Sequence, residues 1–108
     1  MFVDLLRRKF PRVPVLVTSP FYFPAEAANA ETAREQGAKR ETARQFVQQR
    51  RKVGDRRIQF VDGLKMLSPA QSGGLVDGVH CNSLGFYFNA NGLEPVLRKA
   101  LLTDRRRP

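Results

Sequence analysis

Val13-Pro14-Val15-Leu16-Val17-Thr18 is a short continuous apolar run rich in β-branched residues, ended by Ser19-Pro20. A run of this kind, without polar alternation, predicts a strand buried on both faces of a parallel sheet. On its N-terminal side Phe2, Leu5, Leu6 and Phe10 fall near one helical face, and Pro11 stops that helix. On its C-terminal side Phe21-Tyr22-Phe23-Pro24 predicts a loop at the carboxyl end of the strand, where open α/β sheets keep their ligand crevices. Phe21, Tyr22 and Phe23 are therefore candidate walls of a pocket.

From Ala25 to about Lys52 the chain is rich in Ala, Glu, Gln and Arg, all strong helix formers. Ala38, Thr42, Phe46 and Val47 give this helix one narrow apolar stripe, and Gly37 leaves two shorter helices as the alternative. Gly54-Asp55 closes it, and Ile58-Gln59-Phe60-Val61-Asp62 predicts a second strand before the Gly63 turn. Strand, helix and strand form a βαβ unit, so the two strands are expected to be parallel neighbours. Leu64, Met66 and Leu67 predict a short helical turn, and residues 68–74 a Ser, Pro and Gly loop.

A last helix is expected after His80, with Asn82 or Ser83 as its N-cap and Phe86, Ala90, Leu93, Val96, Leu97 and Leu101 at helical spacing. Gly85 and Gly92 weaken a helix by themselves, which predicts close packing on a neighbour. Pro95 predicts a kink or a second helix starting near Leu93-Glu94, and residues 104–108 a disordered basic tail.

Composition narrows the classes. The 108 residues suit one domain, and no run of about 18 apolar residues exists to span a membrane. The Met1 region has no signal-peptide pattern, so the sequence carries no address and leaves localisation open. A lone cysteine, Cys81, excludes an internal disulfide and a Cys-rich zinc site. The net charge of +9 invites nucleic acid, yet the basic residues are scattered over several helix faces with few aromatics among them. Solvated helix surfaces are the preferred reading of that charge.

Asp77-Gly78-Val79-His80 carries the chemistry. A serine hydrolase needs a base to take the nucleophile's proton and a carboxylate to fix and stabilise that base. In a turn, a three-residue offset folds the Asp77 carboxylate towards Nδ1 of His80 and leaves Nε2 to face a nucleophile. Gly78 gives the turn its freedom. Asp-x-x-His is common by chance; here it involves the single histidine of the chain, set directly before an amphipathic helix.

With that helix, Leu75-Val76-Asp77-Gly78-Val79-His80-Cys81-Asn82-Ser83-Leu84-Gly85-Phe86 resembles the last block of SGNH hydrolases, the GDSL-type esterases and lipases. The upstream order of helix, strand, loop, helix and strand is similar to that family too. The resemblance implies an α/β, three-layer αβα, parallel-sheet SGNH (flavodoxin-like) fold. Residues 1–108 would be its C-terminal half, a partial domain with about two strands and their helices. It also implies that Asp77 orients the imidazole and that His80 is the general base and then the acid, with no metal and no organic cofactor. Where the family usually has proline after the histidine, this chain has Cys81, read as a small buried thiol and not a nucleophile.

The front of the family pattern is not in this sequence. There is no Gly-Asp-Ser motif, and Ser19, Ser68, Ser72 and Ser83 lie outside a strand-to-helix nucleophile turn. Asn29, Asn82, Asn89 and Asn91 sit in no Gly-x-Asn-Asp setting for an oxyanion donor. The chain is thus expected to be a fragment of an ester hydrolase, a truncated product with Met1 as an internal start, inactive alone and acting on a small acyl or acetyl ester when completed. A two-stranded parallel sheet has open edges, so marginal stability or self-association through an edge is expected. The competing readings are a non-catalytic basic module for nucleic acid and a structural subunit that docks on a partner chain.

Overall fold

The computed structural model describes residues 2–105. The elements in order are α1 (Phe2–Lys9), β1 (Val15–Thr18), α2 (Ala25–Ala28), α3 (Ala30–Lys52), β2 (Ile58–Val61), two 3-10 segments (Gly63–Lys65 and Pro69–Gly74) and α4 (Ser83–Arg105). β1 and β2 pair in parallel with Val15 opposite Ile58 and Thr18 opposite Val61, as the βαβ pattern requires. Both strands are shorter than expected: Val13 and Pro14 precede the ladder and Asp62 follows it.

Ile58 and Val61 point to opposite faces of the pleat and both are buried, as is Val47 of α3. β1 is covered less well, with Val15, Leu16 and Val17 half-buried and Thr18 exposed. The radius of gyration is 15.5 Å, against about 13 Å for a compact chain of this length. The α/β architecture is therefore present with a thin core and an uncovered sheet, as in a partial domain.

Several expectations are corrected. The long helix divides at Asn29, not at Gly37, because the Asn29 side chain accepts hydrogen bonds from the N–H groups of Glu31 and Thr32 and so caps α3. Gly37 lies mid-helix with open space around it. The inward face of α3 is Thr32, Ala33, Gln36, Arg40, Ala43, Val47 and Arg50; Ala38, Thr42 and Phe46 are exposed on the adjoining face. That face turns inward despite its polarity because Arg40 and Arg50 carry their acidic partners with them.

Residues 69–74 form a 3-10 helix instead of a loop, opened by a reciprocal capping box between Ser68 and Gln71. α4 runs as one helix through Pro95, so no second helix starts at Leu93-Glu94. It takes in Asp104 and Arg105 of the expected tail; residues 106–108 lie outside the described residues. Its covered face is Gly85, Phe88, Asn89, Gly92, Leu93, Val96 and Ala100, while Phe86, Ala90, Leu97 and Leu101 are exposed.

Ion pairs join the N-terminal helix to the rest. Arg7 of α1 grips Asp55 through Nε and Nη2 at 2.8 and 3.1 Å, and donates to the carbonyls of Val13 and Arg57. Arg50 bridges Asp55 and Asp4. At the other end of the strands, buried Ser19 accepts a hydrogen bond from the Gly63 N–H at 2.9 Å, tying the two carboxyl ends together.

Candidate active site

The loop bearing Asp77 and His80 is a small hairpin. Its base is a single antiparallel bridge between Leu75 and Cys81. The bridge is made by Val76 N–H to the His80 carbonyl at 2.8 Å and by Asn82 N–H to the Gly74 carbonyl at 2.9 Å. Gly78 turns the tip with φ +83°, a region that side-chain-bearing residues rarely enter.

Within the loop, Asp77 Oδ1 accepts from the N–H groups of Val79 and His80 at 3.0 and 2.7 Å, and Oδ2 lies 2.6 Å from His80 Nδ1. The His80 amide, then the His80 ring, then the Val79 amide hold the Asp77 carboxyl well below the usual carboxylate range. An ionised carboxylate only accepts, which places the ring proton of a neutral His80 on Nδ1 and a lone pair on Nε2. The His80 side chain is 78% exposed and Asp77 53%. The carboxylate–imidazole contact is thus formed at the surface, with both side chains open to solvent.

α4 supplies the platform under this loop. Asn82 is the N-cap, its Oδ1 accepting from Gly85 N–H at 2.9 Å and its Nδ2 donating to the Gly73 carbonyl at 3.0 Å. A Cβ on Gly85 would stand 2.0 Å from the Gly74 carbonyl oxygen, so helix and hairpin base touch backbone to backbone. The close packing expected of Gly85 is met, and Gly92 likewise lies against Lys65 and Met66. Cys81 is half-buried, with Sγ accepting from Asn89 Nδ2 at 3.3 Å.

Phe21, Tyr22 and Phe23 are all half-buried. The Phe21 and Phe23 rings pack at 5.2 Å between centroids, and Tyr22 N–H donates to the Leu67 carbonyl at 3.0 Å. Beneath them Arg40 donates to the carbonyls of Pro20 and Phe21, both at 3.0 Å, and forks onto Glu26 at 2.7 and 2.9 Å; Glu26 also accepts from Phe23 N–H. Arg40 and Glu26 are only 12% and 9% exposed. Sequence reasoning assigned Arg40 to a solvated helix face, and nothing in the spacing of Glu26 and Arg40 marks them as partners. The aromatic loop, the turn after β2 and α4 thus form one connected set, through Tyr22 to Leu67 and Lys65 to Gly92.

Residues 1–98 match the GDSL-like Lipase/Acylhydrolase family over nearly the whole chain. The chain belongs to that family. Among solved structures it is similar to one from Bacteroides ovatus described as a GDSL-like lipase, at 27% identity and a TM-score of 0.82, over 93% of this chain and 29% of that one. It also shares the fold of a salicylyl-acyltransferase from a tetracycline biosynthetic pathway, at 20% identity and a TM-score of 0.75, over 91% of this chain and 30% of that one. No curated protein matches it. This GDSL-like chain therefore spans less than a third of the length of the solved relatives it matches.

Among the described residues no group of three or more His, Cys, Asp or Glu side chains is arranged to hold a metal ion. No helix among them is long and apolar enough to cross a membrane. Asn89 was read from sequence only as an asparagine outside the oxyanion pattern. Its signal was the face it shares with Gly85 and Gly92, the glycines that mark where α4 meets its neighbours.

Proposed function

We propose that this chain supplies the acid–base end of a serine ester hydrolase site, with Asp77 orienting His80 and His80 Nε2 acting as general base and then as acid towards the leaving alcohol. The observation that carries the reading is the 2.6 Å contact between His80 Nδ1 and an Asp77 carboxylate already fixed by two backbone amides. Such an arrangement sets the tautomer and stabilises the imidazolium that forms on proton transfer. Membership of the GDSL-like Lipase/Acylhydrolase family supports an acyl or acetyl ester as the substrate class. Phe21, Tyr22 and Phe23 are the candidate pocket wall.

The nucleophile and oxyanion donors come from a further segment. Each missing oxyanion donor costs about 10²–10³ in rate, and a positioned base alone gives about 10²–10⁴, so the 108 residues by themselves are at most a feeble esterase. A serine-directed fluorophosphonate tests this. The chain alone should remain unlabelled, and its slow hydrolysis of p-nitrophenyl acetate should vanish in His80→Ala. Stoichiometric labelling of Ser19, Ser68, Ser72 or Ser83 in the chain alone would overturn the division of the site.

A further inference from the structure

The hairpin that carries His80 has little packing of its own: Val76, Asp77, Val79 and His80 are all exposed. Asp77 holds the ring within the loop, but it cannot hold the loop on the protein. Besides the Asn82 cap, Cys81, the residue directly after the histidine, ties the loop to the body of α4. Its Sγ accepts a hydrogen bond from Asn89, two turns along the helix, at 3.3 Å. Asn89 Oδ1 is buried with no hydrogen-bond partner. A buried unpaired amide oxygen is costly and leucine would fill the position without that cost, so packing alone gives no account of an asparagine here. Exchanging the amide's oxygen and nitrogen lets the Cys81 thiol donate instead and keeps the contact.

We propose that Asn89 is a positioning residue for His80 and acts through Cys81, fixing the register of the hairpin base on α4 and hence the height of the imidazole above the helix. The proposal rests on the reading of His80 as the base. The bridge geometry says what could replace this tether. Its two hydrogen bonds use the N–H groups of Val76 and Asn82, which leaves the Cys81 N–H out of the pairing. A proline at 81 therefore breaks no bridge bond and stiffens the same point through its ring.

The experiment follows the His80 ring proton on Nδ1 by NMR at low temperature, measuring its exchange with water in the full chain, with far-UV circular dichroism melts as the control for folding. Asn89→Ala and Cys81→Ala should each speed that exchange about two- to fivefold, the loss of one weak hydrogen bond. The double variant should do no more than either alone, and Cys81→Pro in the Asn89→Ala background should restore the slow exchange. Additive effects of the two alanine variants, unchanged exchange in Asn89→Ala, or failure of Cys81→Pro to restore it would overturn the proposal. Should Asn89→Ala fail to melt cooperatively, Asn89→Leu carries the same test, since it keeps the branched side-chain shape and removes the amide. The readout involves no turnover, so an inactive protein with a protected ring proton removes the catalytic reading and leaves the tether standing; a wild-type ring proton that exchanges freely removes both.

Discussion

The loop that follows β1 is held from beneath by Arg40 and Glu26, which reach it from α3 and α2, whereas the loop that carries His80 is held by its own backbone and by the first turns of α4. The first is closed by a long-range, nearly buried ion pair and the second by contacts three residues apart in open solvent. One loop is thus fixed by side chains distant in the chain and the other is built locally. The aromatic loop needs the tertiary structure to exist, while the Asp77–His80 contact is made within a turn that α4 carries, and the packing of α4 joins the two.

The largest way to break the comparison is at the local end. In a completed site Asp77→Asn keeps an acceptor for the two backbone amides but removes the charge that fixes the tautomer, so kcat should fall about 10⁴-fold with the loop conformation unchanged. Steady-state kinetics on a short acyl ester, paired with an NMR fingerprint of the loop, checks both halves. A fall in kcat accompanied by a collapsed loop would mean that the carboxylate acts as a turn former first.

Next comes the long-range end. Arg40→Ala strands the Glu26 carboxylate and frees two carbonyls, and should cost about 3–5 kcal/mol in urea unfolding, with Arg40→Met plus Glu26→Gln costing less than the single change. Arg40, followed by burial opposing it and then the Phe23 amide, sets the balance that lowers the Glu26 carboxyl below its ordinary range. Because that folded-state value is depressed, the pair's contribution is complete above the unfolded glutamate range near about pH 4.3 and is lost as pH falls below it. Stability should drop on acidification in the wild type and more gently in Arg40→Met with Glu26→Gln.

A change at the joint tests the link between the two regions. Gly85→Ala drives a methyl into the Gly74 carbonyl and should cost about 1–3 kcal/mol while shifting the His80 loop. The smallest effect is expected far from both loops: Asp4→Ala removes the Arg50 contact of a half-exposed, solvent-screened carboxylate, and should shift the midpoint least of these variants in the same unfolding assay.

The sequence by itself determined the elements whose information is local. The buried β-branched run at β1, the helix formers between the strands and the parallel pairing follow from short-range pattern and from the handedness of a βαβ crossover. The Asp77–His80 contact belongs to this class, because one glycine turn and a three-residue offset suffice to make it. So does the family, which matches residues 1–98 of the sequence. Only the tertiary structure decided which helix faces turn inward. α3 turns Arg40 and Arg50 inward in preference to Phe46 because Glu26 and Asp55, which lie outside the helix, meet and neutralise them there. It also decided that Asn89, an undistinguished polar residue in a helix, meets the cysteine beside the histidine, since a separation of eight residues becomes a contact only when the hairpin folds back onto α4.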